Sequence, residues 1–223
     1  MKNYSIIVPA FNEEKRISKV LSSLKKSFPE QEIIVVDDGS TDKTSEIALR
    51  HKCVLIKLKK NSGKGIAVKK GFLKAKGKVI GFVDCDNSVS VKDIKKVFSS
   101  VGKTDFAFAS RRHPESKIIL KQTFSRRLMS RFFNFLVKIF TGLPYPDTQC
   151  GCKAMKNKVA KKIAGKMKIN GFAFDVEMLS IASKLNYKME EIPITWKDEK
   201  GSSFNLKYIP EMFFSLIKIR ENL

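Results

Sequence analysis

Short β-branched runs alternate with helix-period stripes through the first half of the chain. Apolar runs at residues 4–8, 32–36, 54–58, 79–83 and 105–109 predict strands. Between the first two, Ile17, Val20, Leu21 and Leu24 recur at helical spacing, and similar stripes follow Thr41, Lys64 and Val91. This β-α alternation predicts an α/β fold with a mostly parallel sheet flanked by helices. Strands then end near Pro9, Asp37, Asp84 and Ser110, and ligands of open α/β sheets sit at the carboxyl ends of strands.

The second half is more helical. Residues 121–140 carry a helix rich in both arginine and phenylalanine, and the prolines of GLPYPDTQCGCK break it. Residues 174–185 read as helix and 189–194 as strand. A last helix over 206–220 places Ile209, Met212, Phe213, Leu216 and Ile217 on one stripe. The domain reading is a catalytic unit over residues 1–204 followed by an amphipathic helix over 205–223.

The charge adds a constraint. Lys plus Arg is 44 against 22 for Asp plus Glu in 223 residues, a net +22, with the lysines spread along the chain. An anionic partner follows: phosphorylated substrate, acidic lipid surface or nucleic acid. Nucleic acid has only the charge in its favour, because the aromatics sit in apolar patterns and form no exposed stacking platform. MKNYSIIVPAFNEE runs quickly into acids, unlike a secretory leader, so a cytosolic location is expected. Cys53, Cys85, Cys150 and Cys152 lack the spacing of a zinc site and read as reduced thiols. No run reaches the roughly 18 apolar residues of a spanning helix. Phe132, Phe133, Phe135, Leu136, Ile139 and Phe140 suit either a membrane interface or core packing.

Three segments carry candidate chemistry. FVDCDN puts Asp84 and Asp86 in a turn after a buried strand, where two carboxylates suit a hard divalent cation bound to diphosphate oxygens. VVDDGSTDKT repeats the design, with an acid placed to accept hydrogen bonds from a base or ribose. NSGKGIAVKKG brings glycine backbone and the Lys64 ammonium to a helix N-terminus, although it is not a Walker loop.

Together PAFNEE, VVDDGSTD, NSGKGIAVKKG and FVDCDN resemble the family 2 glycosyltransferases of the GT-A fold. ASR at 109–111, RRLMSRFFN, DTQCGCK, FDVEML and IPITW resemble the dolichyl-phosphate glucosyltransferase and mannosyltransferase branch. The resemblance implies a nucleotide-sugar pocket of Pro9, Phe11, Glu13, Val35, Asp37, Lys64, Asp84, Cys85 and Arg111. It implies Mg²⁺ or Mn²⁺ on Asp84 and Asp86, with Asp86, Asp147 and Gln149 catalytic and the last two beside the sugar. Arg126, Arg127, Ser130 and Arg131 would hold the acceptor phosphate. A departure follows IPITW, where the family's Gly-Ser-Lys reads Gly201, Ser202, Ser203; Lys200 and Lys207 are the nearby substitutes.

The expected reaction is inverting, metal-dependent transfer of a hexose from UDP-glucose or GDP-mannose to polyprenyl or dolichyl phosphate. It would take place on the cytosolic face of a membrane with an anionic surface. A lipid phosphate needs no general base, since its second pKa of roughly 6 leaves it largely ionised at neutral pH. The rival readings are transfer to a soluble or polysaccharide hydroxyl and, further off, a basic nucleic-acid-binding protein.

Overall fold

The computed structural model describes residues 3–120, 124–197 and 209–222, the side chains at 120, 124–127 and 209–210 apart. Five expected strands form: β1 (Tyr4–Ala10), β2 (Glu32–Asp37), β3 (Val54–Lys57), β4 (Val79–Val83) and β5 (Phe106–Ser110). Between them run α1 (Ile17–Ser27), α2 (Thr44–Arg50), α3 (Lys64–Lys74) and α4 (Val91–Ser100). After β5 come β6 (Lys117–Leu120), α5 (Phe124–Thr141), β7 (Cys152–Lys156), α6 (Asn157–Lys166) and α7 (Phe174–Lys184). The chain continues through β8 (Met189–Pro193), β9 (Thr195–Lys197) and α8 (Ile209–Asn222).

The main sheet has the order β3-β2-β1-β4-β7-β5-β8, with β3, β2, β1 and β4 mutually parallel. β7 lies antiparallel between β4 and β5, and β8 is parallel to β5. Sequence periodicity did not predict β7, α6, β6 or β9. A small parallel pair, β6 with β9, stands apart from the main sheet.

The period-2 alternation of strands divides the core into two layers. Ile6, Val8, Ile33 and Val35 face the layer of α1 and α4, while Ile7, Ile34 and Val36 face α3, α6 and α7. Burying each such side chain contributes about 1.5–3 kcal/mol. α1 supplies Ile17, Val20, Leu21 and Leu24, all buried as their spacing predicted.

α5 and α8 pack together over the second layer, with the rings of Phe140 and Phe213 5.8 Å apart. In α8 the buried stripe is Met212, Ser215, Leu216 and Ile219, while Phe213 and Phe214 lie exposed. The stripe is thus rotated relative to the expected one. In α5, Val137 is buried, and Phe133, Leu136 and Phe140 pack partly on the core. Leu128, Phe132, Phe135 and Ile139 recur on the opposite, exposed side. Among the described residues no helix is long and apolar enough to cross a membrane.

Candidate active site

Because β1, β2, β4 and β5 run parallel, Pro9, Asp38, Asp84 and Arg111 are all delivered to one edge of the sheet. β7 runs the other way, so its start reaches the same edge and brings Gln149 and Gly151 with it. The result is a cavity of about 1190 Å³ walled by the ends of these strands, the N-terminus of α3, and faces of α5 and α8.

The first loop is fixed by the second. Asn12 N donates to Ser40 Oγ at 2.9 Å, and Glu13 N donates to Thr44 Oγ1 at 2.8 Å. Glu13 receives Arg16 on both carboxylate oxygens, at 2.7 and 2.8 Å. Burial nevertheless raises the Glu13 pKa, since it outweighs Arg16 and since Asp86 and Asp84 add like charge. Pro9, Phe11 and Glu13 all line the cavity.

On the floor, burial first and the Asp84 charge second raise the Asp86 pKa. Asp84 Oδ1 lies 2.7 Å from Lys64 Nζ, yet accepts no well-directed hydrogen bond. A buried carboxylate oxygen held only by an ion pair, beside a second carboxylate, is a donor set that fits a hard cation. Among the described residues no cluster of three such ligands exists, so other ligands would have to come from a substrate. Cys85 lines the wall with a thiol that burial pushes well above its ordinary range, and stays neutral.

Gly151 explains how Asp84 is aimed. Asp84 N donates to Gly151 O at 2.8 Å, and a Cβ at Gly151 would overlap the Asp84 carboxylate. Gly151→Ala should therefore tilt Asp84 and lower activity by roughly 10²-fold, at about 1–3 kcal/mol of overpacking. Steady-state rates beside a thermal melt check this; normal rates would mean the turn tolerates the shift.

Arg111 stands on the wall above the floor, and Arg112 follows it just outside the lining. Arg111 donates to Asp147 from its backbone N (2.7 Å), Nε (2.8 Å) and Nη2 (2.7 Å), and its guanidinium lies over the Trp196 ring, 5.6 Å from the centroid. Arg112 Nη2 donates to Ser130 Oγ at 2.9 Å, and the Arg111 and Arg131 charges both act on Arg112. Burial alone would raise the Asp147 pKa, but the charge and hydrogen bonds of Arg111 win and lower it to about 2.

A depressed carboxyl contributes stability that is present above its ordinary value near 3.8 and lost as pH falls through about 2. Asp147→Asn should cost roughly 2 kcal/mol at neutral pH. Denaturation of both proteins at several pH values should show that gap narrowing between pH 4 and pH 2. A gap independent of pH would contradict the assignment.

Several expected residues meet here, and several do not. Pro9, Phe11, Glu13, Lys64, Asp84, Cys85, Asp86, Arg111, Ser130 and Gln149 line the cavity. Val35, expected at its base, instead faces the α1 layer and is wholly buried. Asp37 is turned inward as well, accepting from Ser40 N at 2.8 Å and from the Ser45 hydroxyl. Its neighbour Asp38 takes the place on the wall, accepting from Ser62 N and Gly63 N at 2.8 Å each. Asp147, expected beside the sugar, is buried beneath Arg111. Arg131 is exposed and off the wall, and the side chains of Arg126 and Arg127 lie outside the described residues, as do Lys200, Ser203 and Lys207.

Sequence reasoning gave no role to Arg112, nor to Asp175, Lys153 and Trp196 inside the motifs FDVEML, DTQCGCK and IPITW. Lys153 Nζ, buried, lies 2.5 Å from Asp175 Oδ1 and 2.8 Å from Cys150 O, and Asp175 reaches the cavity. The adjacency of Arg112 to Arg111 was the available signal for the first; Lys153 and Asp175 each lie in a motif, but nothing along the chain shows that they pair.

A mostly parallel sheet presents an acidic pair at its carboxyl edge, with Arg111 fixed on the same cavity, an arrangement that suits a phosphorylated ligand and its counter-cation. The fold agrees with glucosyl-3-phosphoglycerate synthase of Mycobacterium tuberculosis, solved with Mn²⁺, uridine diphosphate and glucosyl-3-phosphoglycerate. That match has a TM-score of 0.71 at 17% identity, over 98% of this chain and 78% of that one. Mannosyl-3-phosphoglycerate synthase from Rubrobacter xylanophilus matches with TM-score 0.73 at 16% identity, over 98% and 73%. The family profile for glycosyl transferase family 2 matches residues 5–164, and the chain belongs to that family. Among its relatives is the dolichyl-phosphate beta-glucosyltransferase of Dictyostelium discoideum, 34% identical over 90% of this chain and 68% of that protein. The Homo sapiens protein of the same name is 32% identical over 100% and 74%.

Proposed function

We propose that this chain transfers glucose from a nucleotide diphosphate donor to dolichyl phosphate or a related polyprenyl phosphate, with inversion. The relatives' names support the substrate pair, and the state of the buried carboxylates supports the phosphate acceptor. Asp147 is committed to Arg111, Asp175 to Lys153, Glu13 to Arg16, and Asp38 to two backbone amides. Each of these four is already paired; Glu211 of α8 also lines the cavity, exposed, but an acceptor phosphate arrives ionised, needs no base and asks only for cations.

In this reading Phe11, 43% exposed on the wall, packs on the nucleotide while Asp38 and Glu13 line its polar side. Asp84 and Asp86 would hold Mg²⁺ or Mn²⁺, which neutralises charge on the departing diphosphate when bound. Arg111, held by Asp147 and Trp196, holds the acceptor phosphate near the donor, and Arg112, tied to Ser130 just outside the lining, adds positive charge beside it. Gln149, whose Nε2 donates to Phe172 O at 3.4 Å, orients the sugar. The acceptor's chain leaves past Leu128, Phe132, Phe133 and Leu136 of α5 and Phe213 of α8, which line the same cavity. The exposed Phe132, Phe135, Ile139 and Phe214 extend that apolar exit onto the surface and rest on an anionic bilayer. α8 is then a wall of the catalytic unit.

A radiolabelled donor assay with a short polyprenyl phosphate tests the reading, with UDP-glucose and GDP-mannose run side by side. Organic-extractable label from UDP-glucose is expected. No such product with either donor, or label only on a soluble hydroxyl acceptor, would overturn it.

A further inference from the structure

Lys64 opens α3 beside the acidic floor, and its Nζ lies 2.7 Å from Asp84 Oδ1. The ammonium also sits over the rings of Phe82 and Phe174, at 6.0 and 5.8 Å, and Asp175 and Asp86 act on it electrostatically. Its neighbour Lys153 is fully enclosed and serves Asp175 and Cys150 O. Lys64, by contrast, keeps 24% of its side chain exposed, on a long flexible stem. Asp84, Asp86 and Asp175 line one largely apolar cavity, where uncompensated like charges are strongly disfavoured. A partly exposed cation therefore occupies the carboxylate oxygen that a divalent cation would need.

We propose that Lys64 is a resident stand-in for the divalent cation, neutralising Asp84 until donor arrives and then moving from Asp84 to the incoming diphosphate. This rests on the metal role proposed for Asp84 and Asp86. Without a diphosphate, Lys64 leaving Asp84 has no new anion to meet. With one, it exchanges a carboxylate for a phosphate at little cost. Metal and nucleotide consequently bind with positive coupling, and linkage makes that coupling equal in both directions.

The test is Mn²⁺ binding followed by electron paramagnetic resonance of the free ion, with and without UDP, on the full chain. The unmutated protein should bind Mn²⁺ at least about tenfold more tightly when UDP is present. Lys64→Met keeps the apolar stem against Phe82 and Phe174 and removes the charge. It should bind Mn²⁺ alone about tenfold more tightly than the unmutated chain and show a smaller UDP effect. Lys64→Arg keeps the charge and should keep weak binding of Mn²⁺ alone.

Unchanged or weaker binding of Mn²⁺ alone by Lys64→Met overturns the proposal. Equal affinity with and without UDP in the unmutated chain overturns it too, independently of how any variant folds. A chain that takes up no Mn²⁺ even with UDP overturns the metal assignment itself, and the stand-in role with it.

Discussion

Asp86→Asn is expected to lower sugar transfer by roughly 10²–10³-fold while leaving the melting temperature unchanged or slightly raised. The two halves of that result have separate causes. Asp86 N-terminal to Ser88 accepts Ser88 N on Oδ1 at 2.9 Å, and an asparagine oxygen can keep that bond and hence the turn. What the substitution removes is negative charge beside Asp84, and with it half of the hard oxygen pair proposed for the cation. The fold does not need that charge. Burial and then Asp84 raise the Asp86 carboxyl, so keeping it ionised at neutral pH opposes folding. Initial rates at saturating donor, alongside a thermal melt, separate loss of chemistry from loss of structure. Transfer at the unmutated rate would sink the role assigned to the Asp-Cys-Asp turn.

Lys153→Met is expected to have the opposite signature, a fold defect of about 3–5 kcal/mol. Lys153 is wholly buried, with Asp175 Oδ1 at 2.5 Å, Cys150 O at 2.8 Å and the Phe82 ring at 5.4 Å. Burial already raises the Asp175 carboxyl against the pull of Lys153 and then Lys64. Without Lys153, Asp175 is left as a buried charge with one less partner. At about 2–4 °C per kcal/mol for a domain of this size, the melting temperature should fall by roughly 10 °C. Removing both charges, as Lys153→Met with Asp175→Leu, should recover most of that stability, because two apolar side chains leave nothing unpaired. A single substitution costing under about 1 kcal/mol would mean that Asp175 finds compensation elsewhere.

Much of this was legible because local chemistry repeats along the chain. β-branched runs read as strands, and α1 read as a helix because Ile17, Val20, Leu21 and Leu24 share one face. The Asp-Cys-Asp turn was found because a buried strand ends there. β7 was not found: CKAMK is short, and a lysine at its second position suggests solvent, whereas Lys153 is buried on Asp175. The choice between Asp37 and Asp38 was also out of reach. It depends on which sheet face the strand's alternation presents and where the loop after β2 turns, and both are fixed by packing against α1 and α3. Asp147 is a carboxylate of the kind a sugar site needs, but Arg111 claims it only once β5 and the start of β7 are neighbours.

The sequence by itself determined the β-α alternation, the strand ends where chemistry gathers, the excess of positive charge and the acidic turn, because each depends on residues close along the chain. Tertiary structure decided which of those residues share a cavity. An antiparallel strand between β4 and β5 carries Gln149 and Gly151 to the acidic floor, and α5 and α8 close the wall above it. It also decided which charges are paired, since segments far apart in sequence join Asp147 to Arg111, Asp175 to Lys153 and the partly exposed Lys64 to Asp84.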